Sequence, residues 1–173
     1  MKEAIYLVAI LLQLGVIIFF VRRNKMSIGN KSLPDQQGYE EGSYNQQRSL
    51  ALSISPDQLK LAIPENITYV HGVVMDWNTG DTIVTLCAYI TGAANLYLSN
   101  GGGMSGAGKK PEVGEAAVRL VVSAADHLES TVPVAGTKDL PPSGCVRFYL
   151  LTNKQVFAAQ EQVKYLDEGS SSW

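Results

Sequence analysis

The chain divides by polarity before any residue is weighed for chemistry. Residues Ala4 to Val21 (AIYLVAILLQLGVIIFFV) are 18 consecutive positions without a charge, 13 of them Ile, Leu, Val or Phe. A run of that length and character suits hydrocarbon as its solvent. As a helix it would measure roughly 27 Å against a bilayer core of roughly 30 Å, a gap that Arg22 and Arg23 can close by snorkelling. At about −0.3 to −0.6 kcal/mol for each strongly apolar residue near the centre, the run outweighs its one polar member, Gln13. The sequence after it, RRNKMS, offers no small-residue cleavage site. Residues 1–23 are therefore expected to be an uncleaved single-pass transmembrane helix rather than a signal peptide. Lys2 flanks it on one side and Arg22, Arg23 and Lys25 on the other, so the positive-inside bias puts the N-terminus outside and the C-terminal domain in the cytoplasm. Gln13 and Gly15, close together near mid-membrane, are candidates for a helix–helix contact, because a small residue permits close approach and an amide can bond across.

Polarity then reverses. Residues 24–49 (NKMSIGNKSLPDQQGYEEGSYNQQRS) hold too few apolar side chains to build a core and predict a flexible linker, with a typical end-to-end distance of roughly 25 to 30 Å. Tyr39 and Tyr44 stand out in it as possible partner-binding points.

From residue 50 the pattern becomes that of a folded domain. SPDQ at 55–58 spells a capping box with proline at the first helical position, predicting a short helix that stops before Pro64. Three strand-like runs follow at 67–77, 82–91 and 95–99, rich in β-branched and aromatic residues and separated by NTGD and GAA turns. Residues 111–130 show apolar positions at helical spacing (Val113, Ala116, Ala117, Leu120, Val121, Ala124, Leu128), with Pro111 in the first turn and Glu115 and Arg119 as an i,i+4 pair. CVRFYLLT and QVFAAQEQV then form a second hairpin, turning at Asn153 and Lys154. The expected fold is α+β over residues 50–166: a five-stranded antiparallel sheet, ordered β-β-β-α-β-β, with one long helix on its face and a loose tail at 167–173. The order of elements resembles that of profilin-like or roadblock-like modules at the level of the fold, with no motif through which to carry over a residue role.

Both faces of that sheet are apolar in the sequence. Ile67, Tyr69, Val73, Met75 and Trp77 alternate with Val70 and Val74, and Val84, Leu86 and Ile90 with Ile83, Cys87 and Tyr89. One helix covers one face, so a second cover is required. Leu50, Leu52 and Ile54 can supply part of it, and the remainder predicts a docking surface for a partner or a second copy.

Charge and composition narrow the class. The net charge of −2 and the scatter of basic residues exclude the footprint of nucleic-acid binding. Cys87 and Cys145, without a CxxC or a neighbouring His pair, read as buried hydrophobes. The stretch SNGGGMSGAGKKP contains GxxxxGK from Gly103 to Lys109, but Lys110 stands where a P-loop needs Ser or Thr, and the neighbouring strands are antiparallel. GxGxxG from Gly101 to Gly106 lacks its βαβ setting. The glycines are expected to serve backbone turns, with Gly101, Gly102, Gly103, Lys109 and Lys110 as the candidate partner-binding loop. His71 and His127 have no nucleophile or acid neighbour: His71 and Asp76 differ in strand parity, and Asp76 and Asp81 flank a turn.

Together these features predict a membrane-anchored, non-enzymatic accessory or scaffold subunit, with no cofactor or metal and no nucleic-acid partner. Its partners would be the lipid bilayer and other subunits of a membrane complex, or a second copy. A ligand-sensing module using the Gly-rich loop 101–108 is the alternative, and a membrane-bound enzyme with a site assembled from distant residues is the third reading.

Overall fold

The computed structural model describes residues 43–167. The expected anchor with Lys2, Gln13, Gly15, Arg22, Arg23 and Lys25, most of the linker with Tyr39, and the tail lie outside the described residues. Among the described residues no helix is long and apolar enough to cross a membrane.

The elements in order are helix α1 (Ser43–Leu52), strands β1 (Val70–Asn78), β2 (Ile83–Tyr89), β3 (Ala94–Leu98) and β4 (Gly103–Met104), helix α2 (Pro111–Asp126), strands β5 (Val132–Val134), β6 (Cys145–Thr152) and β7 (Val156–Gln162), and the short helix α3 (Val163–Asp167). All seven strands form one antiparallel sheet in the order β4-β3-β2-β1-β6-β7-β5. The expected five-stranded sheet with one helix is thus corrected, among the described residues, to seven strands with α1 on the second face and the short α3 after β7. β4 and β5 escape the sequence because two- and three-residue strands are defined by their pairing partners, Leu96 with Met104 and Val132 with Ala158, and not by a run of composition. Their shortness also suits sheet edges, and Pro133 in β5 withholds a donor from further pairing.

α2 packs on one face, where Ala117, Leu120, Val121 and Ala124 meet Val73, Met75, Leu86, Ala88, Val146 and Leu150. Pro111 opens it and Glu112 complements the dipole at its first turn. The opposite face carries Val74, Cys87, Tyr89, Tyr97, Tyr149, Leu151 and Ala158, covered by Tyr44, Ala51 and Leu52 of α1 with Ile54 and Leu59 behind them. The chain itself covers the face that looked unpartnered in the sequence, so the inference of a docking surface there is corrected. Leu50, on the outer side of α1, stays 54% exposed.

The short helix expected over residues 56–63 is also corrected. Its capping box forms, with the Ser55 N–H donating to Gln58 Oε1 at 2.8 Å and the Gln58 N–H to Ser55 Oγ at 3.4 Å. The turn does not propagate: Lys60 enters the left-handed region at φ 57, and the segment runs on as a strap of turns to β1. A single nucleated turn is unfavourable unless elongation follows, and Pro64 limits that.

β1 contains a bulge. Val70 pairs with Thr152 and Gly72 with Leu151, so His71 is the extra residue. The slip puts Val70 on the α2 face with Val73, against the parity expected from the sequence, and turns His71 toward the α1 face.

Candidate functional site

A row of polar side chains crosses the α1 face where the apolar pattern predicts none. Register places Thr85 of β2 beside Asp76 of β1, Asp76 beside Arg147 of β6, and Arg147 beside Gln160 of β7. Partners directly opposite in an antiparallel pair share a face, so these four groups lie in line across four strands. Arg48 descends on this row from α1. Its helix presents Tyr44, Arg48, Ala51 and Leu52 at i, i+4, i+7 and i+8, a single face toward the sheet. Two of those four are Tyr and Arg, so no apolar stripe marks the helix in the sequence.

The side chains of Arg48 and Asp76 are 6% and 0% exposed. Arg48 Nε and Nη2 both donate to Asp76 Oδ2, at 2.8 and 2.6 Å. Nη1 donates to the Thr137 carbonyl at 2.7 Å, Nη2 also reaches the Tyr149 hydroxyl at 3.2 Å, and the guanidinium lies over the Tyr149 ring at 5.6 Å. The other carboxylate oxygen, Oδ1, accepts from the Thr85 hydroxyl at 2.6 Å. That spends the Thr85 proton, so in its 2.9 Å contact with Tyr44 the Tyr44 hydroxyl is the donor. Tyr149 in turn donates to the Asp139 carbonyl at 2.8 Å, as does Arg147 Nη1 at 3.0 Å. Arg147 Nε and Nη2 hold Gln160 Oε1 at 3.0 and 2.6 Å. Asn78 fastens the same loop further along, through the Pro141 carbonyl at 2.9 Å. The network therefore binds three things together: α1, the centre of the sheet, and residues 137–141.

Burial pulls the Arg48 guanidinium down, and the hydrogen bonds and charge of Asp76 outweigh it, leaving the group above its ordinary value. Burial raises the Tyr44 phenol. Burial likewise drives the Cys87 thiol and Tyr89 phenol far up, so both stay protonated. Cys87, with no exposure, is a packing residue. His71 is also buried; its Nε2 meets the Ile54 carbonyl at 2.9 Å, while Nδ1 has no hydrogen-bond partner. Burial holds its pKa below the ordinary value, against the raising effect of the Ile54 contact.

The sequence-derived candidates fall elsewhere. Tyr44 is not a solvated linker residue: it is buried in α1 and bonded to Thr85. Gly101 and Gly102 take φ of 95° and 90° in the turn between β3 and β4, with open space around them. Gly103 begins β4, where any Cβ would overlap the Leu96 carbonyl. Gly106 donates its N–H to Asn95 Oδ1 at 2.8 Å, which ties the loop to β3. A Cβ on Gly108 would overlap the Gly92 carbonyl oxygen, and one on Gly114 would stand 2.9 Å from the Gly108 carbonyl. The glycine-rich stretch thus lets α2 seat against the turn between β2 and β3. Lys109 and Lys110 are exposed just before α2, the helix on the sheet face opposite α1. Asp76 is the residue sequence reasoning missed, having been assigned to turn chemistry; Asn78 serves the turn instead, accepting from the Gly80 N–H at 2.9 Å. The available signal was an Asp inside the run VHGVVMDW, since a strand carboxylate between buried neighbours requires a cation. The bulge also puts His71 and Asp76 on one face, although each has its own partner there.

The arrangement can hold, orient and clamp. Asp76 accepts three hydrogen bonds and is sealed from water, and no group of three or more His, Cys, Asp and Glu suited to a metal ion occurs among the described residues. Comparison of the chain with protein-family models, with curated proteins and with solved structures finds no match.

Proposed function

We propose that the chain is a membrane-anchored, non-enzymatic accessory or scaffold subunit: residues 4–21 lodge in a lipid bilayer and the folded domain works as a protein-interaction module on the Arg- and Lys-flanked side. The observation that carries this reading is the charge-free run Ala4–Val21, followed at once by Arg22, Arg23 and Lys25. Only 19 residues, 24–42, separate Arg23 from α1. Even fully extended they reach about 70 Å, which keeps the domain close to the bilayer. The fastening of α1 supports the same reading, because any load on the tether meets the domain at a helix bolted to the sheet by a buried ion pair. The polar groups of that network spend their hydrogen bonds on one another and on loop carbonyls, which is the chemistry of a clamp.

Membrane fractionation of the full-length chain tests this. It should stay in the pellet through salt and alkaline carbonate and leave only with detergent, and a reporter fused after Trp173 should be active in the cytoplasm. Recovery of the intact chain in the carbonate supernatant would overturn the anchor. Migration in mild detergent as one chain in an otherwise empty micelle would overturn the subunit role.

A further inference from the structure

His71 occupies an unusual position. It is the inserted residue of the β1 bulge, is 1% exposed, and points at the strap that joins α1 to β1. A carbonyl oxygen can only accept, so the Nε2 contact with Ile54 fixes the tautomer: Nε2 carries the proton and Nδ1 is a bare lone pair. That lone pair is buried without a partner. Gly72 beside it has no side chain to interpose, since a Cβ there would stand 2.8 Å from Tyr89 Cδ1 and 3.3 Å from Leu151 Cδ1.

A proton added to Nδ1 creates a buried cation whose new N–H has no acceptor. Among the described residues no anion is placed to receive it. β2 brings Tyr89, whose phenol stays neutral and donates to the Ala51 carbonyl. β6 brings Leu151 and Thr152, which do not titrate. Asp57 and Lys60 of the strap are exposed. Lys154, at the β6–β7 turn, gives its ammonium to the Glu65 carbonyl, and Arg48 of α1 is held by Asp76.

The strap is built to yield before its neighbours. Its amide hydrogen bonds are local turns, Leu59 to Ser55 and Pro56, Lys60 to Asp57, and Leu61 to Pro56, and Ser53, Asp57, Gln58, Lys60 and Ala62 face solvent. We propose that His71 is a proton-operated latch: neutral, it lies buried under the strap Ile54–Leu61 with Nε2 bonded to the Ile54 carbonyl, and protonated it keeps that donor but carries a charge and a partnerless Nδ1–H that only water can satisfy, so the strap swings off to hydrate it while α1 stays bolted by Arg48 and Asp76. This stands independently of membrane anchoring.

Hydrogen exchange of the full-length chain in mild detergent, corrected for intrinsic rates, tests it at about pH 7.5 and about pH 5.0. Protection at Leu59, Lys60 and Leu61 should fall severalfold at the lower pH, since one proton bound on opening shifts the equilibrium by up to tenfold per pH unit. Protection in α1, β2 and β6 should hold, and His71→Gln, which keeps an amide donor but does not titrate, should abolish the fall. Unchanged strap protection, an equal fall in H71Q, or parallel loss from α1 and the sheet would each overturn the latch. Should H71Q not fold, NMR titration of the wild-type imidazoles decides: His71 must carry its proton on Nε2 and titrate below about 6.5, and titration at or above that value overturns the proposal.

Discussion

Arg48 and Asp76, 28 residues apart in the chain, meet through two hydrogen bonds onto a single carboxylate oxygen, and neither side chain is open to solvent. The pair fixes a helix that could not stand alone. Ten residues without an apolar stripe are marginal as an isolated helix, and most of what keeps α1 folded comes from contacts made 28 to 101 residues further along the chain.

Removing one member of this pair leaves the other charged, buried and uncompensated. Arg48→Met and Asp76→Leu should each lower the unfolding free energy by about 3 to 5 kcal/mol, measured by urea titration. The double variant should lose clearly less than the sum, because no lone charge remains. Additive losses would show that the ion pair is not coupled as its geometry requires.

Two glycines, one in the loop before α2 and one in the loop between β5 and β6, should separate sharply by position. Gly108→Ala forces a Cβ into the Gly92 carbonyl and should destabilise by about 3 kcal/mol, the upper end of ordinary overpacking. Gly136→Ala, with open space and no positive φ, should change stability by less than about 1 kcal/mol and in the favourable direction. Thermal melts of the two variants check the contrast.

Thiol labelling should distinguish the two cysteines. Cys87 has no exposure and a thiol held protonated by burial, whereas Cys145 is part-exposed. In the folded chain only Cys145 should react with an aromatic disulfide reagent on the minute timescale, and in denaturant both should react. Rapid native labelling of two thiols would contradict the packing on the α1 face.

Stability should fall in mild acid, and the sign follows from His71. Its folded pKa lies below the unfolded value of about 6.5, so below that pH the unfolded chain binds a proton that the folded chain refuses. The contribution is whole above about pH 6.5 and is lost progressively as pH falls toward the folded value. Urea unfolding at several pH values should show this slope in the wild type and a flatter profile in His71→Gln.

Strand β6, residues 145–152, begins and ends where the sequence places it, and α2 starts at Pro111 as read. Those elements are legible because their information is local: β-branched and aromatic runs between turn residues, and a proline followed by apolar positions at helical spacing. The turn glycines were legible for the same reason, since positive φ is a property of one residue.

α1, β4, β5 and the bulge at His71 were not legible, and the network at Asp76 was read as turn chemistry. Each depends on what lies opposite in space. Arg48 is helical and buried because Asp76, Tyr149 and the Thr137 carbonyl await it; β4 is a strand because Leu96 pairs with Met104. By itself the sequence determined the local conformations and the alternation that makes both sheet faces apolar. Which segment covers the second face, and which charges may be buried beneath it, only the tertiary structure decided, because a buried charge is tolerable only where partners from distant parts of the chain converge on it.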